Sequence, residues 1–376
     1  MQNINENDND RVFLCKKCKK QATVMSRSEY TCDGCFVRST ENKIRRQFEL
    51  LRPNLENRRS QKALLAVSGG ISSMAMLETA YYLSRHRKDN YRPMFDDFLV
   101  VHLQSKSLQN EEECTQTINV IKKAIDNRYT QCKFEVIQEE DLLKEASYID
   151  GNGNFSSGGT SEHNTFNLEA IPSLASRQDL LYRIREQALV AIAEKEHCDT
   201  IVFGDCGTTI AARVLELVAQ GRGYAIPWCT SVCSKLPEFP VSLLRPLRDV
   251  LSSELNSYMK IKQLDYLPKE IEERPSTISG VAENYFTNLN NHFPSLVNTV
   301  VRMSSKLGVP EVQKTCSLCK LPMQENAEAW LQKTTVQHPS ERQEDAAANP
   351  DICYACSVSL KNIKQPLRIP TVKKEQ

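Results

Sequence analysis

This sequence predicts an α/β fold built on a doubly wound parallel sheet, with a small cysteine-rich module at each end. Three observations carry that prediction. Between residues 63 and 220, apolar strand-like runs alternate with helix-like stretches in repeated βαβ order, a pattern that buries a parallel sheet on both faces. The stretch "ALLAVSGGISS" (63–73) passes from an apolar strand through Ser68-Gly69-Gly70 into a helix. Of the fourteen cysteines, eight form four Cys-x-x-Cys pairs, two near each end of the chain.

The elements follow in order. Residues 1–10 are polar and are expected to be disordered. Residues 11–40 form a zinc ribbon and 41–62 a basic helical linker, broken near Pro53. The α/β domain covers 63–310. Its strands are "KALLAVS", "DDFLVVHL", "CKFEVI" and "DTIVFG". Its helices are "SSMAMLETAYYLSRH", residues 111–127, "SRQDLLYRIREQALVAIAEKEH" and "TTIAARVLELVAQG". The stretch 151–165, "GNGNFSSGGTSEHNT", reads as a flexible loop, and its His163 as a solvated residue. "LRPLRDVLSSELNSYMKIKQL" reads as a loop and an amphipathic helix, and 278–307 as mostly helical. A second cysteine module spans 311–360, and 361–376 is a basic tail.

With 376 residues and 40% hydrophobic residues, the chain can bury one sizeable core plus small appendages. The formal net charge is +1, so no global field attracts nucleic acid or membrane. No apolar run reaches the ~18 residues of a membrane span, and the polar opening "MQNINENDND" is no signal peptide. The expected location is the cytoplasm, where thiols stay reduced and clustered cysteines point to metal or catalysis.

Cys15-x-x-Cys18 and Cys32-x-x-Cys35 are separated by thirteen residues. Two knuckles at that distance offer four thiolates to one structural zinc ion. Lys16, Lys17, Lys19 and Lys20 flank the first knuckle and favour ionised thiols. A redox role is disfavoured, since neither pair is expected at the start of a helix after a strand. Cys316, Cys319, Cys353 and Cys356 make a second set around a polar insert of thirty-three residues. Such an insert can loop out at modest entropic cost, and zinc is the expected ligand. The plainer reading is two independent surface knuckles. Of the remaining six cysteines (Cys114, Cys132, Cys198, Cys206, Cys229, Cys233), only Cys206 follows a strand end, where α/β sites lie.

In Ser68-Gly69-Gly70 the glycines let backbone N–H groups approach a phosphate, with a helix N-terminus behind them. "AVSGGISS" resembles the SGGxDS loop of the PP-loop ATP pyrophosphatases. The order of ribbon, basic linker, loop, "IVFGDCGTTIA" and "LRPLRDVLSSEL" is similar to their tRNA 2-thiolation branch. The C-terminal cysteines and the departures that follow resemble the cytoplasmic tRNA 2-thiolation protein 2 family. The loop aspartate of the catalytic relatives is Ser72 here, followed by Ser73. Their "GHNxDD" reads Gly204-Asp205-Cys206-Gly207-Thr208-Thr209, with hydroxyls for the paired carboxylates. Matching "REQAL" to their "RRQAL" puts Gln178 and Leu181 where they carry a CxxC. Their third cysteine has no counterpart between Cys233 and Cys316. An iron–sulfur cluster needs thiolates and is not expected at that site. Adenylation needs magnesium-binding carboxylates, so the loop is expected to hold ATP or AMP at most weakly and to drive no chemistry.

Between Phe36 and Lys62 eight cations (Arg38, Lys43, Arg45, Arg46, Arg52, Arg58, Arg59, Lys62) face three glutamates. Arg38, Lys43, Arg45, Arg46, Arg58 and Arg59 are the candidates for gripping tRNA phosphates; the plainer reading is a solvated helix face. The resemblance implies a non-catalytic subunit paired with a catalytic tRNA thiolase. That partner would activate the wobble uridine with ATP and take sulfur from a ubiquitin-like carrier. Two alternatives stay open. One is a self-sufficient adenylating sulfurtransferase using Ser68, Asp205 and Cys206; the other is a zinc-ribbon scaffold for protein contacts.

Overall fold

The computed structural model describes residues 13–50, 62–85, 95–104, 111–138, 146–149, 155–156, 171, 173–268, 277–323, 349, 351–360, 363 and 367–370. At its centre lies a six-stranded sheet. The strands are β3 (Lys62–Ala66), β4 (Asp97–Gln104), β5 (Lys133–Gln138), β8 (Thr200–Phe203), β9 (Cys233–Ser234) and β10 (Ser242–Leu244). They lie in the order β5-β4-β3-β8-β10-β9, all parallel except β9, which runs antiparallel at the edge. The sheet is therefore parallel as expected. The short strands β9 and β10 had no sequence signal, because two or three residues are too few to show alternation.

Period-two alternation sorts side chains between the two faces. Leu64, Leu99, Val101, Ile201 and Leu243 face one core cluster, formed with helix α4 (Leu174–Lys195). Ala63, Leu65, Val100, Val202 and Leu244 face the other. That second core is covered by α1 (Asp33–Glu49), α2 (Ile71–Arg85), α3 (Glu111–Arg128) and α7 (Ser252–Lys262). A third cluster joins α5 (Gly207–Ala219) to α8 (Ile278–His292) and α9 (Pro294–Lys306). A short helix α6 (Ile226–Thr230) lies after α5.

The cysteine modules sit on opposite faces. The N-terminal one is the hairpin β1 (Val24–Ser26) and β2 (Glu29–Thr31) followed directly by α1. Helix α1 therefore begins at Asp33, not near Glu41, and the expected boundary between ribbon and linker falls inside it. Its buried stripe, Phe36, Thr40, Ile44 and Phe48, has four-residue spacing, and its Phe36, Ile44 and Phe48 pack into the second core cluster. Lys62 opens β3 and pairs with Glu196 at 3.5 Å instead of extending a basic helix. Pro53, Arg58 and Arg59 lie outside the described residues.

The C-terminal module comprises β11 (Lys314–Thr315), β12 (Pro322–Met323) and α10 (Tyr354–Leu360). Its Cys316, Leu318, Cys319, Leu321, Ile352, Cys356 and Leu360 belong to the first core cluster. A separate three-stranded sheet pairs β13 (Leu367–Pro370) with β6 (Ala146–Ile149) and β7 (Phe155–Ser156). The segments read as flexible loop and basic tail thus contain paired strands. His163 lies outside the described residues.

Where β8 meets the nucleotide loop, only glycine fits. A Cβ on Gly204 would lie 2.7 Å from Ser73 Cα and 2.8 Å from Ser73 N, both backbone atoms. Gly204→Ala is expected to cost about 1–3 kcal/mol, the usual size of an overpacking defect. Urea denaturation should show the lowered midpoint, and an unchanged midpoint would contradict this contact.

Candidate functional site

The loop read as nucleotide-binding joins β3 to α2. Gly69 has φ +81°, and the chain turns there from β3 into α2. The loop's polar groups bond one another. Ser73 Oγ donates to Gly70 O at 2.9 Å, accepts from Ser68 N at 3.3 Å, and lies 3.2 Å from Ser68 Oγ. Leu267 N donates to Gly69 O at 2.9 Å and ties the loop to the segment after α7. Ser72 is partly exposed and adds no charge.

The end of β8 is arranged for structure too. Cys206 is 1% exposed, at the N-cap of α5, with its sulfur 3.4 Å from Thr209 Oγ1. Thr208, at one of the relatives' carboxylate positions, accepts from Ser252 N at 3.1 Å and holds the start of α7. Asp205 Oδ2 lies 3.3 Å from Arg245 Nε. Arg245 and Arg183, both buried, share Glu186 at 3.7 and 3.4 Å. The Arg213 guanidinium stacks 3.6 Å from the Tyr182 ring centre, and burial pushes the Tyr182 hydroxyl up to about 12. Gln178 is exposed and Leu181 is buried, and neither offers a thiol.

The eight paired cysteines come together as two groups of four. Cys15, Cys18, Cys32 and Cys35 have ligand atoms all within 4.8 Å of one another, and so do Cys316, Cys319, Cys353 and Cys356. The two groups share one plan. In each first knuckle a backbone N–H returns to the leading cysteine's carbonyl at 2.9 Å, from Lys19 and from Lys320. Both lysines have positive φ, 63° and 59°. In each second pair the leading cysteine precedes a helix and the other lies in its first turn, α1 and α10. Cys32 also follows β2, so the positional argument against a redox pair fails. What distinguishes these cysteines is that each pair meets a second pair.

The spacing suits a metal ion. Four sulfurs about 2.3 Å from one tetrahedral ion stand about 3.8 Å apart, and Cys18–Cys32 is 3.5 Å and Cys319–Cys353 3.8 Å. Backbone N–H groups of Cys18 and Cys32 draw the Cys15 thiol down to about 6. Hydrogen bonding from Cys316, then Cys319 and Cys356, holds the Cys353 thiol well below its ordinary range.

Among the candidate tRNA-binding residues, Arg38, Arg45 and Arg46 project from α1 into solvent, with Arg45 3.8 Å from Glu49. Lys43 is engaged otherwise, donating to the buried Glu254 at 2.9 Å.

Comparison with known proteins places this arrangement. The family model for cytoplasmic tRNA 2-thiolation protein 2 matches residues 277–358. A cytoplasmic tRNA 2-thiolation protein 2 from Schizosaccharomyces pombe is 58% identical over 368 residues, covering 98% of each chain. The chain belongs to the cytoplasmic tRNA 2-thiolation protein 2 family. A second member, from Debaryomyces hansenii, is 26% identical and covers 96% of this chain and 93% of its own. Among solved structures, the U34-tRNA thiolase NcsA from Methanococcus maripaludis, solved with its iron–sulfur cluster, superposes with a TM-score of 0.59. At 16% identity, covering 86% of this chain and 97% of that one, it establishes the shared PP-loop fold.

Sequence reasoning missed two groups of residues in this family member. Asp179, Arg183 and Glu186 are buried charges on α4. They recur at spacings of four and three among the buried positions of the helix, and that periodicity was a readable signal. Arg27, Glu254 and Arg222 act across long sequence separations, where no local pattern exists.

Proposed function

We propose that this chain is the non-catalytic subunit of a heteromeric cytoplasmic complex that converts the wobble uridine of certain tRNAs to 2-thiouridine. The observation that carries the proposal is the use made of the reactive positions. Ser72 brings no carboxylate, Thr208 is spent on holding α7, and Cys206 is buried at a helix start. The loop and the strand end remain as architecture. A partner of the same fold with intact motifs supplies ATP-dependent activation of the uridine and receives sulfur from a ubiquitin-like carrier. This chain contributes grip on tRNA through Arg38, Arg45 and Arg46 and stabilises the partner.

In this proposal each tetracysteine group holds one structural zinc ion. Sulfur separations near 3.8 Å fit four thiolates around a single ion. An iron–sulfur cluster places separate irons between its thiolates and requires wider spacing.

Purified chain, purified partner and the two together, assayed with tRNA, ATP and the thiocarboxylated carrier, test the proposal. Thiolation is expected only from the pair. Thiolation by this chain alone, lost in Cys206→Ala, would establish the self-sufficient enzyme instead. Reversing Arg45 and Arg46 to Glu should weaken tRNA binding at least tenfold in moderate salt and flatten its dependence on salt concentration. Unchanged binding would favour the scaffold reading.

A further inference from the structure

The two cysteine groups differ in their electrostatic surroundings. Around the N-terminal one, Cys15 is buried, but Cys18 and the side chains of Lys16, Lys17, Lys19 and Lys20 are exposed, so water and the lysines can offset its charge. At the C-terminal one, Cys316, Cys319 and Cys356 are buried. Four thiolates around a divalent ion carry two net negative charges, which are costly to bury without a partner.

The fold delivers such a partner from α5. That helix ends in a reversal, with Gly221 at φ +74° and Arg222 N donating back to Leu217 O at 2.7 Å, the closure known as a Schellman motif. The reversal turns Arg222 inward, where it is 5% exposed. Its Nη2 lies 3.2 Å from Cys356 Sγ. Its Nη1 donates to Asp179 Oδ1 at 2.6 Å and to Gln220 Oε1 at 2.9 Å. The guanidinium fork thus faces a thiolate on one side and is pinned by a buried carboxylate on the other. Gln187 Nε2 on α4 donates to Leu318 O at 2.8 Å and fixes the facing knuckle.

We infer that Arg222, oriented by Asp179, is a positioning residue that retains the metal ion of Cys316, Cys319, Cys353 and Cys356. The inference rests on the metal reading of the cysteine groups given above. Outer partners of metal ligands set affinity and exchange by holding the ligand atom in place. The guanidinium holds the Cys356 sulfur in place, while Cys18 stands exposed to solvent. The same chain therefore carries one slowly exchanging ion and one rapidly exchanging ion.

Zinc-loaded full-length chain, mixed with a chromogenic chelator, tests this. Release should occur in two phases of similar amplitude, the fast one absent in Cys18→Ser. Arg222→Met should accelerate the slow phase about 10–100-fold and leave the fast phase unchanged. Arg222→Lys, which keeps the charge but loses the fork, should fall between and serves if the methionine variant does not fold. Slow phases at the wild-type rate in both variants, with metal fully bound beforehand, would overturn the role of Arg222. Absence of metal from the C-terminal cysteines in the wild-type chain would overturn the metal reading itself, and the inference with it.

Discussion

If each four-cysteine group holds zinc as proposed, Cys316→Ala should cost the chain one metal ion and lower its thermal midpoint by more than ~10 °C. The size follows from where the residue sits. Cys316 is fully buried in the core cluster shared with α4, and its sulfur accepts from Cys353 N at 3.3 Å. Losing the ion releases both knuckles together, exposing Leu318, Leu321, Ile352 and Leu360, which cover that core. Structural zinc sites contribute on the order of 10 kcal/mol to the modules they close. Hydrogen exchange should accelerate in 314–323 and 352–360 first. On the same reading Cys18→Ala should remove the ion of the N-terminal group, whose Cys18 is exposed, and its midpoint should fall less. Equal melting of wild type and Cys316→Ala, with full metal content, would refute this account.

The second large effect is expected from Glu254→Ala, by about 2–3 kcal/mol. Glu254 is 1% exposed and receives Arg27 Nη2 at 2.8 Å, Lys43 Nζ at 2.9 Å, Ser26 Oγ at 3.1 Å and the Leu251 N–H at 2.9 Å. One carboxylate therefore holds the ribbon hairpin, α1 and the start of α7 together. Breaking a wholly buried pair costs about 3–5 kcal/mol; the estimate is reduced because Arg27 and Lys43 side chains keep 30% and 31% exposure. Arg27 and Ser28 also have positive φ, 50° and 67°, in the hairpin turn. Arg27 is held there by Glu254 and by Asp249 O at 2.7 Å. Without Glu254 the ribbon should loosen from the body, giving faster proteolysis near residues 26–33.

The same carboxylate predicts a pH dependence. Burial alone would raise its pKa, but Lys43, Arg27 and the Leu251 N–H outweigh burial and hold it below the ordinary glutamate value. A depressed pKa gives stability that is complete above the unfolded value of about 4.3 and is lost as pH falls through the folded one. Wild type should therefore lose stability more steeply than Glu254→Gln as pH drops from about 5 toward 3. Parallel slopes would show that Glu254 does not hold the module.

Much of the architecture was legible because it is written in short-range patterns. Continuous apolar runs in β3, β4 and β8, separated by helical stretches, placed the sheet, and the CxxC pairs announced the two four-cysteine groups. The start of α1 was misplaced because its apolar stripe begins at Phe36, directly after the second knuckle, where the cysteines drew attention to a ribbon. Strands β9, β10 and β7 were invisible because two or three residues carry no periodicity.

By itself, the sequence determined the parallel α/β fold, the spacing of the cysteine pairs and the absence of carboxylates from Ser68 to Ser73, since residue identity and near-neighbour spacing suffice for each. Only the tertiary structure decided that Lys43 serves Glu254, that Thr208 holds α7, and that Arg222 faces Cys356. These contacts join residues 44 to 211 positions apart. Contact at such separation depends on how whole elements pack, and a linear pattern does not encode it.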